Sequence, residues 1–136
     1  MRRQLLLITL AALVLAALPL FGGDDHEVIF TEGYPIKKDS SGFEEDLFIG
    51  DAVITGETVV TGDDETVELE AGGYKVMVGS NTVFRLMEVE RGGETQTVLT
   101  NVLGKMRFAR DRATGRDPLF ASNSAVCGVR GTDFTF

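Results

Sequence analysis

The side chains able to do chemistry are few, and their spacing limits what they can do. His26 is the one histidine, so a Ser–His–Asp triad would have to recruit it. It stands just after Asp24-Asp25, at the head of the polar part of the chain, where a solvated terminus is expected rather than a catalytic cleft. The sequence has no Gly-x-Ser-x-Gly, no phosphate-cradling glycine loop and no Cys/His spacing for zinc. Cys127 is the single cysteine, set between Val126 and Gly128 with no histidine or basic cluster beside it to activate a thiolate. It reads as a small buried apolar residue, and alone it makes no intramolecular disulfide.

Two carboxylate groups come next. Asp63-Asp64-Glu65 follow Gly62 in a turn-like stretch, but the spacing is not that of an EF-hand calcium loop. Glu44-Glu45-Asp46 would suit a glycosidase pair only by chance, because adjacent acids on a polar segment ordinarily serve solvation. The residues thus call for no cofactor and no metal, and a non-enzymatic protein is expected. One further group stands out, Val129-Arg130-Gly131-Thr132-Asp133-Phe134. Arg130 is a permanently charged fork able to hold a carboxylate or several carbonyls. Gly131 permits a backbone approach that a side chain would block. The plain reading is that Arg130 pins the last strand to a neighbouring loop; contact with a ligand or partner is the other.

Charge narrows the partners. All 21 Asp and Glu lie from Asp24 onward, against eleven Lys and Arg, a net charge of −10 for residues 24–136. Such a surface repels phosphate backbones and anionic lipid, so neither nucleic acid nor a membrane surface is an expected partner. Ahead of Asp24 the order changes: Arg2-Arg3, then Leu5 to Phe21 without a charge, then Gly22-Gly23. A basic head, an apolar run and an abrupt polar start is the pattern of a secretory signal peptide, here residues 1–23. Seventeen apolar residues also sit at the lower limit for an uncleaved anchor. The expected location is the bacterial periplasm or cell envelope.

The elements that must position these residues read as strands. Sixteen glycines and short β-branched runs leave no room for a long helix. Thr66 to Ala71 alternates, with Val67, Leu69 and Ala71 on one face; Gly72-Gly73 closes a hairpin and Tyr74, Val76 and Val78 return. Thr82 to Glu90 carries Phe84 and Leu86 on one face and Val83, Met87 and Val89 on the other, which implies cover on both sides or a bulge. Arg91-Gly92-Gly93-Glu94 turns, Met106 and Phe108 alternate with Lys105 and Arg107, and 111–118 is a polar loop. Leu119 to Ser122 and Thr132 to Phe136 read as two more strands. The reading is all-β, a single domain of short antiparallel strands, β-roll or sandwich-like, over 47–136. Residues 24–46 form an N-terminal extension, partly loop. Leu69, Val76, Phe84, Phe108 and Phe134 are expected to share one interior.

Several of these segments, in order, resemble the FecR domain family. Gly50-Asp51-Ala52-Val53-Ile54-Thr55-Gly56 is similar to its opening, Glu68 to Val78 to its central hairpin, and Asn81-Thr82-Val83-Phe84 and Leu103 to Arg107 to later pieces. Phe120 to Val126 and then Val129-Arg130-Gly131-Thr132 with Phe134 resemble its closing "RGT" signature. The likeness spans about Phe48 to Phe136, with Ser122-Asn123 where the family has Thr-Pro. It implies a periplasmic interaction or signal-sensing module whose partner is another envelope protein or a cell-envelope ligand. A structural scaffold of the envelope is the alternative. Only Arg2, Arg3 and Gln4 stand ahead of the apolar run, where the family's regulators carry a cytoplasmic helical segment, so sigma-factor binding is not expected to carry over.

Overall fold

The computed structural model describes residues 25–110, 117–122, 126–128 and 133–135, the last two stretches through their backbone. Among them the structure is all-β: thirteen strands in two sheets, with no helix. The leader, the 111–116 part of the polar loop and Val129 to Thr132 lie outside the described residues.

The first sheet runs in the order β13 (Asp133–Thr135), β10 (Met106–Arg110), β7 (Tyr74–Val78), β6 (Thr66–Ala71), β1 (His26–Glu32) and β4 (Ala52–Val53). The second runs β12 (Val126–Gly128), β11 (Leu119–Ser122), β9 (Glu94–Leu103), β8 (Val83–Arg91), β5 (Thr58–Val60), β2 (Ile36–Lys38) and β3 (Glu44–Asp46). All pairings are antiparallel except that of β11 with β9, which is parallel. Alternation dictates the packing. Val28, Leu69, Val76 and Phe108 lie in one row of register across the first sheet, and Val59, Phe84, Leu86, Leu99 and Phe120 come from the second. All belong to one buried cluster, which makes the molecule a two-layer sandwich. Each large side chain so buried contributes about 1.5–3 kcal/mol. Phe134 lies in register with Phe108, which puts its backbone at the expected place.

Both glycine hairpins form as their sequences require. Gly72 and Gly73 have φ of +50° and +83°, and Gly92 and Gly93 have +63° and +78°, the double positive φ of a two-residue type I′ connection. The bulge expected in Thr82 to Glu90 falls between Val83 and Phe84. Outer cover does not accompany it, since Met87 and Val89 are 40% and 39% exposed.

Residues 24–46 differ from expectation. Far from being an appendage, β1 lies inside the first sheet between β6 and β4, and β2 and β3 complete the second. A bulge on β1 between Val28 and Phe30 explains why its alternation was weak: Val28 faces the core, whereas Phe30 pairs with Glu68 on the outer face. Strand β3, Glu44-Glu45-Asp46, has no apolar residue at all. It is held by its ladder to β2 and by Lys38–Glu44 and Lys37–Glu45 ion pairs at 2.8 and 3.8 Å. Strands of two or three residues, one of them wholly acidic, close all four sheet edges, which discourages edge-to-edge pairing.

Candidate functional site

His26 is the first side chain to place, and it corrects the expectation of a solvated terminus. As the first residue of β1 it is fully buried. Its Nε2 lies 2.7 Å from the Tyr74 hydroxyl. From there a line of rings crosses the sandwich: His26 to Tyr74 at 5.5 Å, Tyr74 to Phe108 at 5.2 Å, and Phe108 to Phe120 at 5.0 Å edge-on. The chemistry available to this imidazole is structural: it satisfies the one polar atom that Tyr74 carries into the core. The imidazole is shielded from solvent by the surrounding core.

Several of the clustered carboxylates have partners, although Glu65 Oε2 is buried without a hydrogen bond. In the 62–65 turn, Glu65 Oε1 accepts from the Gly62 N–H at 2.8 Å and Asp63 accepts from the Asn81 side-chain amide at 2.8 Å. Among the described residues no group of three or more His, Cys, Asp or Glu is arranged to hold a metal ion. Glu44 and Glu45 are engaged by the lysines of β2, and Lys37 also reaches Glu57 at 3.4 Å. Asp39 organises the β2–β3 turn. Its Oδ1 accepts from the Ser41 hydroxyl and N–H and from the Phe43 N–H. These bonds, the Ser41 hydroxyl first, hold its carboxyl below the ordinary carboxylate value.

Of the signature residues, Phe134 is described, through its backbone in β13. Val129, Arg130, Gly131 and Thr132 are the four residues joining β12, on the edge of the second sheet, to β13, on the edge of the first. They lie outside the described residues. Cys127 is opposite Phe120 in the β11–β12 ladder.

Two surface features of the described residues bear on binding. A shallow depression of about 230 Å³ on the outer face of the first sheet is lined by Glu68, Met77, Lys105 and Arg107 among others, a mixed-charge patch. More distinctive is the β8–β9 hairpin, whose strands of nine and ten residues outrun their neighbours. On one side, β5 pairs with β8 only through Val83 to Arg85. A last pair of bonds follows, Leu86 N–H to the Glu57 carbonyl at 3.1 Å and Gly56 N–H to the Leu86 carbonyl at 2.7 Å. Gly56, at φ +91°, then turns the chain away. On the other side, β11 pairs with β9 from Val98 onward. Between them Met87 to Thr97 runs past the neighbouring strands as an arm, closed by the Arg91–Glu94 pair and tied on its β9 side by Gln96, whose side-chain amide donates to the Asp117 carbonyl at 3.3 Å.

The arm has an open edge. Leu86 directs its N–H and carbonyl toward β5, and the two-residue period of a strand gives Glu88 and Glu90 the same orientation. Among the described residues no strand lies there to receive them. Met87 and Val89 occupy one face and Glu88 and Glu90 the other, the second pair half-buried and exposed respectively. Sequence reading did not single this segment out. Its signal was the apolar content on both faces of Thr82 to Glu90, which was equally consistent with burial.

No family model, curated protein or solved structure matches the chain. None of these comparisons supports a FecR-type domain.

Proposed function

We propose that this protein is an exported, non-catalytic interaction module of the bacterial cell envelope, which engages another envelope protein or ligand through its projecting hairpin. The observation that carries the reading is the β8–β9 arm: two strands run past the core, and along Met87 to Glu90 no described strand pairs with the outer edge of β8. Natural β proteins cover or shorten such edges unless they are used, and all four true edges here are short. The buried state of His26 and the engaged acids favour binding over catalysis. The basic head and apolar run at the N-terminus supply the export element, and the FecR-type motifs agree with a sensing or interaction role.

The test shortens the arm without touching the core. Replacing Glu90 to Thr95 with Asn-Gly keeps Val89 and Gln96 as a bonded closing pair and supplies the residues a type I′ turn favours. The full chain is expected to capture one stoichiometric partner from envelope extract, and the shortened chain to lose it while unfolding at the same temperature. Self-association alone, unchanged by shortening, would favour the scaffold role instead.

A further inference from the structure

We infer that the open edge of β8 receives, as the next strand of the sheet, an extended segment of another protein in which basic and apolar residues alternate. This rests on the interaction reading above and names the chemistry of the partner at the same site.

The geometry sets the place. The incoming segment takes the line that β5 abandons at Gly56 and continues it past Leu86. At roughly 3.3 Å per residue, Met87 to Glu90 offers about 13 Å of edge, enough for a four- or five-residue strand. Its backbone would pair with the N–H and carbonyl groups of Glu88 and Glu90, the two residues whose main chain points outward. That is strand addition, in which main-chain bonds supply affinity and alternate side chains supply selectivity.

Charge selects the occupant. A residue directly opposite Glu88 or Glu90 shares its face at close range, so a lysine or arginine there is favoured and an acid disfavoured. The intervening residues lie beside Met87 and Val89, which are apolar and part-exposed. A second copy of this chain fails the same test. An antiparallel pairing centred on Val89 sets Glu88 against Glu90, and centring on either glutamate sets it against itself. The net charge of −10 over residues 24–136 adds long-range repulsion.

The experiment titrates the full chain into a fluorescein-labelled peptide, Thr-Val-Lys-Val-Lys-Val-Thr, and follows anisotropy. Two control peptides carry Glu in place of Lys, or keep both Lys with their backbone nitrogens methylated, which removes the N–H groups that would face Glu88 and Glu90. Saturable binding of the lysine peptide is expected, at least about tenfold tighter than either control. Glu90→Pro removes only an outward N–H, a place where an edge tolerates proline. It should abolish binding and leave the unfolding temperature in place. The double change Glu88→Lys with Glu90→Lys should transfer the preference to the glutamate peptide. Equal binding of the lysine peptide and its N-methylated form would mean charge adhesion only and would overturn the inference, as would binding indifferent to Glu90→Pro. Should the lysine peptide fail while arm shortening still costs the chain its envelope partner, strand addition falls and the interaction reading survives.

Discussion

At its base the β8–β9 hairpin puts Phe84, Leu86 and Leu99 into the core; a few residues further along, the same two strands put Met87 and Val89 into solvent. Hairpin bonding and alternation are continuous across the change. What differs is the neighbourhood. At the base a second sheet stands opposite and β5 and β11 flank the pair; toward the tip from Leu86 and Val98 no described strand flanks it, and Asp117 meets it at Gln96. Strand pairing therefore does not by itself make a region part of the body. Burial against the facing layer does, and the two halves of one hairpin should respond differently to the same kind of change.

The largest difference should come from side-chain truncation. Phe84→Ala at the base empties a fully buried site and is expected to cost about 3–5 kcal/mol by denaturant unfolding. Met87→Ala or Val89→Ala on the arm should stay within about 0.5 kcal/mol. Comparable losses at both places would erase the distinction.

Backbone constraint sharpens it next. Gly104 has φ of +91°, and a Cβ there would come within 2.6 Å of the Asn81 carbonyl. Gly92, at the arm's tip with φ +63°, has open space around it. Gly104→Ala should therefore cost about 2–3 kcal/mol, well above Gly92→Ala, which carries only the left-handed strain. Equal melting temperatures for the two variants would count against the packing described around Thr82 and Lys105.

A smaller effect concerns the polar atoms of the core. Tyr74→Phe removes the partner of the His26 Nε2 inside the sandwich and should cost about 1–3 kcal/mol. No measurable loss would mean that this contact is not formed in solution. The smallest lies in the exposed β2–β3 turn. Asp39 is held below its usual carboxylate value by the Ser41 hydroxyl and by backbone N–H groups. A depressed folded-state value adds stability that is present at neutral pH and fades as pH falls through it. Asp39→Asn should flatten that acid limb slightly; an unchanged acid limb would remove the turn from the account.

The body was legible where sequence and packing agree. Gly72-Gly73 and Gly92-Gly93 announced their hairpins, and the alternation of Val67, Leu69 and Ala71 with Glu68 and Glu70 matched burial residue by residue. Three places resisted. The place of β1 inside the sheet hid because a bulge broke its period at Ile29 and because a histidine beside two aspartates resembles a terminus. β3 hid because Glu44-Glu45-Asp46 has no apolar face to read. The parallel pairing of β11 with β9 depends on a register between distant segments that no local pattern encodes. The arm was ambiguous for a related reason: apolar residues on both faces of a strand mark either double cover or a projecting surface, and only the length of the flanking strands decides.

Native-state amide hydrogen exchange tests the division between body and arm most directly. Leu69, Val76 and Leu99 lie within paired strands of the buried core, and their amides should exchange only through global unfolding. The amides of Glu88 and Glu90 should exchange orders of magnitude faster, with those of Met87 and Val89, bonded to β9, slower than their neighbours. Protection of Glu88 and Glu90 equal to that of Leu69 would mean that the edge is already covered, and would contradict the account.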